Sequence, residues 1–450
     1  MKCVILAAGE GSRLKGFGVP KPLTPFLGLS LIERVILTAV ECGINEFIVV
    51  LGHEGSKVEE HLKKISASRN IQITTVTNED WIKGNGGSLL SARSLVVETF
   101  LLLMSDHIFE RTALERIIHE EIGEDEIILA VDHNKNNSLV DYSDTTKVSI
   151  IGGRITDIGK TLADYDAIDT GMFKCSTAIF DAADECIKNG GDNSVSGAVK
   201  IIADKGKMKT CDITGLFWID VDDKPAYHKA EKALLKKMGK QTDGIVSKHL
   251  NRPISTFISK YLVKTSMTPN TISLASFFMC FIATALFVAK FPFNLLFGGV
   301  LTQLASIIDG CDGEIARLKH TYTGFGKWFD AVLDRYADGL LISGLTYNLY
   351  TTSAYPYHLS IGFLALIGSF VNSYTAEKYD KFLIKNIENN KFVRVGRDLR
   401  LFIIFVGAIF NEVFFVLFAL AVVMNMENIR RILLLYSQSV SQKIGQTTVG

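Results

Sequence analysis

The chain has 450 residues, enough for two or three ordinary domains, and its 48 Lys and Arg balance 48 Asp and Glu, so nothing in its net charge argues for a nucleic-acid partner. The charge is unevenly spread: residues 265–450 hold 15 basic and 12 acidic side chains, mostly in short clusters between long uncharged runs. A soluble mixed domain followed by a membrane domain fits that division, and a wholly soluble chain does not.

From Met1 to about Pro225, apolar runs of strand length (CVILAA, EFIVVLG, IQITTV, TFLLLMS, EIILAVD) alternate with stretches of helical spacing such as Leu31–Cys42 and Leu114–Glu121. That alternation predicts an α/β domain with a mostly parallel, Rossmann-like sheet, whose ligands bind beyond the carboxyl ends of the strands. The first apolar run, Val4–Ala8, is too short for a signal-peptide core and reads as a buried strand. Seven scattered Cys without a CxxC read as reduced thiols in the cytoplasm.

Residues 226–250 are charged and helical in pattern and are expected to form a connector between residues 1–225 and 251–450. Asn251–Lys264 predicts an amphipathic helix on the membrane surface. Ile272–Ala289 and Phe291–Ile308 are each 18 residues without a charge. Two further spans are expected between Asp338 and Glu377, with a turn near Ser353–Tyr357. Leu401–Met424 reads either as one span or as two turning at Asn411–Glu412, the first then beginning near Val393. Basic residues decide for two: six spans gather nearly all of them on one side, and five would put the basic tail outside. An all-α, six-helix transmembrane domain with both termini cytoplasmic follows.

The segment Ala7-Ala8-Gly9-Glu10-Gly11-Ser12-Arg13-Leu14 follows the first strand and leads to Pro20-Lys21-Pro22-Leu23. Glycines let backbone N–H groups converge on a polyanion, and Arg13 and Lys21 add positive charge. This segment has neither the GK[ST] of a P-loop nor a GxGxxG. The combination AAGxGxRL…PKPL resembles the sugar-phosphate nucleotidyltransferases, MobA-like in fold, over about residues 1–225. The resemblance implies nucleotide binding by Ala7, Ala8, Gly9, Gly11 and Lys21, and by Gly84 and Gly86 of the Lys83–Ser88 loop. Asp106 would bind both nucleotide and Mg²⁺, with Asp220 or Asp222 completing the metal site. Asp169-Thr170-Gly171 would line the sugar pocket. Arg13 and Lys21 would neutralise the pyrophosphate leaving in an in-line attack on the α-phosphorus. His53 and His107 are expected to be ordinary polar residues.

Asp309 and Asp312 share a helix face by i,i+3 spacing, and Asp330 and Asp334 share another by i,i+4, with Gly326 one turn earlier. Two facing helices would aim four carboxylates into one volume, where they repel strongly and would be largely protonated unless a cation neutralises them. All-oxygen ligands suit Mg²⁺ or Mn²⁺. The spacing D-x2-D-G-x2-A-R-x8-G-x3-D-x3-D, from Asp309 to Asp334, is identified as that of the CDP-alcohol phosphotransferase family, and the resemblance covers about residues 250–436. It implies metal binding by Asp309, Asp312, Asp330 and Asp334, with Asp334 also the general base. Gly313, Ala316, Arg317 and Gly326 would bind the donor nucleotide. Arg397 and Arg400, i,i+3 on a helix entering the membrane, are expected at the phosphate of a phosphorylated acceptor.

The pairing resembles the bifunctional family that joins an inositol-1-phosphate cytidylyltransferase to a di-myo-inositol-phosphate-phosphate synthase. That resemblance implies CTP, inositol 1-phosphate and CDP-inositol as partners, CMP and a phosphorylated di-inositol phosphate as products, and a lipid bilayer around the second half. A homodimer through the membrane domain is left open.

Overall fold

The computed structural model describes residues 1–240, 242–385 and 395–447. They divide into two compact units, Met1–Leu234 and Leu235–Gly450. The stretch expected as one helical connector is shared between them. The Lys224–Lys236 helix ends before Gly239 and Gly244, and a π-helical turn, Ser247–Asn251, runs on into the Arg252–Leu262 helix. Between these pieces the Asp243 carboxylate accepts from the Lys240 backbone N–H at 2.8 Å, holding a turn where a helix would otherwise continue.

The first unit is built on a nine-stranded sheet. Its first half is parallel: Gln72–Thr77, Glu46–Leu51, Cys3–Ala7 and Phe100–Met104 lie side by side in that order. The inner three, Glu46–Leu51, Cys3–Ala7 and Phe100–Met104, are apolar and largely buried, whereas the edge strand Gln72–Thr77 is mostly polar and part-exposed. Beyond Phe100–Met104 the sheet is mixed. Ala167–Cys175 runs antiparallel to it and to Ile127–Asp132, which pairs in parallel with Met208–Asp212, and the Arg154–Gly159 and Lys147–Ile151 hairpin closes the edge. The expected parallel pairing therefore describes the half that carries the glycine-rich turn. Local chemistry sets the helices: Ser30 caps Leu31–Glu41, its hydroxyl accepting from the Glu33 N–H at 3.2 Å.

In the second unit the Arg252–Leu262 helix precedes six helices, Pro269–Val288, Asn294–Leu318, Gly324–Ser353, Tyr357–Lys385, Arg397–Ile409 and Val413–Thr447. Thr268 caps the first of the six, with Pro269 at its first position. Thr323 caps the third through the Gly326 N–H, at 2.9 Å. The expected turns fall at 354–356 and 410–412, where Ala354 and Asn411 take positive φ. Val393 and Arg394, where the fifth span was expected to begin, lie outside the described residues.

Four of the six helices are long and apolar enough to cross a membrane unaided: Pro269–Val288, Asn294–Leu318, and the 357–381 and 413–437 stretches. The other two differ for separate reasons. Gly324–Ser353 has 30 residues but carries Asp330, Asp334, Arg335 and Asp338. Arg397–Ile409, with 13 residues, rises only about 20 Å, short of a hydrocarbon core of about 30 Å. Both carry charged side chains of the second unit's interior, as Asn294–Leu318 also does with Asp309, Asp312 and Glu314.

The surface helix is amphipathic in an informative way. Ile254, Phe257 and Tyr261 are exposed, whereas Ser255 and Ser259 are fully buried against Asn294–Leu318. Its polar stripe faces protein and its apolar stripe faces outward, as an interfacial helix requires.

Candidate active sites

In the first unit, Gly9–Gly11 follows the Cys3–Ala7 strand at the carboxyl end of the sheet. Gly11 has φ +60°, and a Cβ there would overlap the Lys21 side chain, so only glycine fits. Lys21 is nearly buried and ion-paired to both Asp106 and Asp222. Burial works against its charge, but Asp106, Asp220 and Asp222 outweigh that and raise its pKa. Arg13 bridges Asp144 at 2.7 Å and Asp222 at 2.9 Å.

Asp106, His107 and Asp220 present ligand atoms within 4.8 Å of one another. Of Asp220 and Asp222, between which the sequence left the choice open, Asp220 is the one in this group. The Trp218–Asp220 strand ends at Asp220, which lies next to the Asp106 pair, while Asp222, past the strand, turns to Lys21 and Arg13. His107, expected to be an ordinary polar residue, sits inside the cluster with Nδ1 2.9 Å from Asp106. Burial opposes its charged form, yet Asp220 and Asp106 carry its pKa up to about 9. Burial raises Asp220, with His107 opposing, whereas Lys21 and His107 overcome burial to hold Asp106 low. Gly171 (φ +74°) lets the sheet pass against the His107 ring, where a Cβ would clash. Asp169 beside it accepts from the Gly171 N–H at 2.7 Å, and burial pushes its pKa up to about 6. Gly84 and Gly86 pack directly on Asn193, so the Lys83–Ser88 loop is held by close backbone approach.

In the second unit, Asp309, Asp330 and Asp334 bring one oxygen each within 4.8 Å of the others. Asp312, expected as the fourth member, is not one of the three whose oxygens all meet, but it stands against Asp330 while accepting from Ser273 Oγ at 2.5 Å and from the Gly313 N–H. It still lines a cavity of about 120 Å³ shared with Asp309, Gly313, Arg317, Asp330 and Arg397. Ala316 is buried and is not among the residues lining that cavity. Gly326 lies at the start of its helix, where a Cβ would press on Thr323 and Asn270. Arg317 donates to the Met238 carbonyl at 2.6 Å.

The two arginines expected at an acceptor phosphate part company. Arg397 reaches into the carboxylates, with Nη1 2.8 Å from Asp309 and 2.6 Å from Asp334, and Nε 3.1 Å from Asp338. Arg400 is 2% exposed, donating to the Ser369 carbonyl at 2.6 Å and Ser373 Oγ at 2.9 Å and pairing with Asp338 at 2.9 Å. These partners lie inside the protein and leave only Nε without one, so the expected phosphate contact is corrected to a tie between helices. Glu314, inside the motif but not among its specified residues, has no exposure at all. It accepts from Arg252 Nη1 and Ser255 Oγ, both at 2.6 Å, and from Ser259 Oγ at 2.7 Å. The clue in the sequence is the Arg252/Ser255/Ser259 stripe on a helix whose other face carries Ile254, Phe257 and Tyr261.

Both clusters fit a divalent cation by donor chemistry. Each also leaves a buried carboxylate oxygen without a hydrogen-bond partner, on Asp220 in the first and Asp330 in the second.

Two family models match in tandem: the MobA-like NTP transferase domain over residues 3–189 and the CDP-alcohol phosphatidyltransferase family over residues 266–430. The chain is thus a nucleotidyltransferase joined to a membrane-embedded CDP-alcohol phosphotransferase. Proteins described as bifunctional IPC transferase and DIPP synthase are similar over nearly its whole length. The one from Rubrobacter xylanophilus is 35% identical, covering 96% of this chain and 95% of that protein. The one from Aquifex aeolicus is 34% identical, over 97% and 98%. The chain belongs to this bifunctional IPC transferase and DIPP synthase family. A solved structure, the inositol-1-phosphate CTP transferase from T. maritima, is 24% identical, with a TM-score of 0.46 over 51% of this chain and 95% of that one.

Proposed function

We propose that the first unit converts CTP and inositol 1-phosphate to CDP-inositol and pyrophosphate. The second unit then joins CDP-inositol to another inositol 1-phosphate, giving a phosphorylated di-inositol phosphate, an osmolyte precursor, and CMP. The observation that carries this reading is the presence of two separate acidic clusters, Asp106/His107/Asp220 and Asp309/Asp330/Asp334, one in each unit.

In the first unit the glycine-rich turn offers backbone N–H groups to the triphosphate. Lys21 and Arg13, now paired with carboxylates, would turn to the leaving pyrophosphate. Asp106 and Asp220 would hold the cation, with His107 beside them. In the second, Asp309, Asp330 and Asp334 would hold the cation, with Asp312 lining the same cavity. Asp334 would take the proton from the acceptor hydroxyl as it attacks the β-phosphorus. Gly313 leaves room for the donor, whose charge Arg317 faces. When bound, Mg²⁺ or Mn²⁺ supplies charge neutralisation of the diphosphates.

The second unit works in a membrane. The distribution of basic residues supports placing both termini on the cytoplasmic side, where CTP and sugar phosphates are found. Mass spectrometry of products from purified full-length protein given CTP and inositol 1-phosphate tests the reading. CDP-inositol, CMP and the coupled product are expected in sequence. CMP release only with lipid acceptors would replace it with phospholipid synthesis.

A further inference from the structure

The Arg397 guanidinium occupies an unusual position for a residue facing a phosphate. It is 13% exposed and engages two of the three carboxylates that present oxygens to one point, Asp309 and Asp334. A divalent cation binds carboxylate oxygen at about 2.0–2.1 Å, so a cation held by those two oxygens would stand within a few ångströms of Nη1. Two positive groups that close repel strongly in a partly desolvated site. Guanidinium and metal therefore compete for the same oxygens.

The surroundings allow Arg397 to yield. It is the first residue of its helix, following Gly396, so its side chain can turn without unwinding a helical turn. Its third partner, Asp338, would not be stranded by that movement, because Arg400 also pairs with it at 2.9 Å. Asp330 already has an oxygen buried without a hydrogen-bond partner, which leaves one ligand ready before Arg397 moves. Arg400 has none of this freedom, being fixed by the Ser369 carbonyl and Ser373.

We propose that Arg397 is a resident counter-cation of the membrane-unit carboxylates, exchanging with the divalent cation, and that its charge sets how tightly that cation binds. The inference rests on the reading of Asp309, Asp330 and Asp334 as cation ligands. In the metal-free protein the guanidinium holds the Asp309 and Asp334 carboxylates together. Metal loading displaces it, and the freed guanidinium is then available to an anionic acceptor.

The test is Mn²⁺ binding, followed by electron paramagnetic resonance on the full-length chain in detergent. A D106N/D220N background silences the first unit's cluster. In that background R397Q should bind Mn²⁺ at least tenfold more tightly, about 1.4 kcal/mol, than the parent. R397M, similar in length and uncharged, should do the same, and R397K, which keeps the charge, should stay within about threefold of the parent. Unchanged or weaker Mn²⁺ binding in R397Q and R397M overturns the exchange. Absence of Mn²⁺ binding in the parent and every Arg397 variant overturns the cation site itself, a separate failure.

Discussion

Truncating Glu314 to alanine removes a buried carboxylate that ties the surface helix to the helix carrying Asp309 and Asp312. Glu314 is fully buried and accepts three hydrogen bonds, from Arg252, Ser255 and Ser259. Breaking a buried ion pair from one side costs about 3–5 kcal/mol. Here Arg252 keeps Asp243, which it contacts through Nε at 2.8 Å and Nη2 at 3.1 Å, and that lowers the charge penalty. Two buried serine hydroxyls are stranded instead, at about 1–3 kcal/mol each, softened because Ser255 can fall back on the Arg252 carbonyl at 3.5 Å. Together these give about 4–5 kcal/mol for Glu314→Ala. Glu314→Gln keeps an acceptor oxygen for Arg252 and Ser255 and can donate its amide to Ser259, so about 1–2 kcal/mol is expected. For a unit of this size 1 kcal/mol moves the midpoint by about 2–4 °C, so the alanine variant should lose about 8–20 °C. The assay is heat inactivation of the full chain in detergent, with CMP release and CDP-inositol formation measured separately afterwards. Only the temperature at which CMP release is lost should fall, and the glutamine variant should recover most of the shift. A loss under 2 °C for Glu314→Ala, or equal losses for the two variants, would refute the reasoning.

Lys21→Ala should cut CDP-inositol and pyrophosphate formation by about 10²–10³-fold and leave CMP release from supplied CDP-inositol intact; unchanged pyrophosphate release would remove Lys21 from the site. Asp334→Asn should do the reverse, lowering CMP release by about 10²–10⁴-fold with CDP-inositol still made, and loss of both activities would break the two-site reading. Glu126 accepts from Lys209, the Gly123 N–H and Arg154, and these hold its pKa at about 2, below the ordinary 4.5. A depressed carboxylate stabilises the fold above its unfolded pKa and loses that contribution as pH falls from about 4.5 towards about 2. Glu126→Gln should therefore lower the melting midpoint of the first unit at pH 7, and the gap to the unmodified chain should narrow by pH 3. A gap that is constant with pH would mean the charge plays no part.

Legibility followed the range of the interaction. The i,i+3 and i,i+4 spacings around Asp309 and Asp330 depend only on helix geometry, so the sequence alone put those side chains on shared faces. Which of them meet depends on how Asn294–Leu318 and Gly324–Ser353 pack, and that packing brings the Asp309, Asp330 and Asp334 oxygens together while Asp312, against Asp330, also takes a bond from Ser273. Asp220 and Asp222 were indistinguishable because an extended strand would point both the same way. The strand stops at Asp220, and its end separates a carboxylate beside Asp106 from one paired with Lys21 and Arg13. The parallel half of the sheet was legible from alternating apolar runs, whereas the antiparallel Ala167–Cys175 strand pairs across long sequence separations that no local pattern encodes.

Arg397 and Arg400 show where such reading stops. Both are cations at i,i+3 on one short helix, equal in every property the sequence displays. Neighbours from three other helices assign one to a set of carboxylates it can leave and the other to partners it cannot. Packing makes the difference, since each buried guanidinium takes the acceptors its neighbours offer. Ser369 and Ser373 lie against Arg400, and Asp309 and Asp334 lie against Arg397. A basic residue at a membrane helix terminus thus becomes a ligand group or a structural bolt according to whether its acceptors are themselves the site's chemistry.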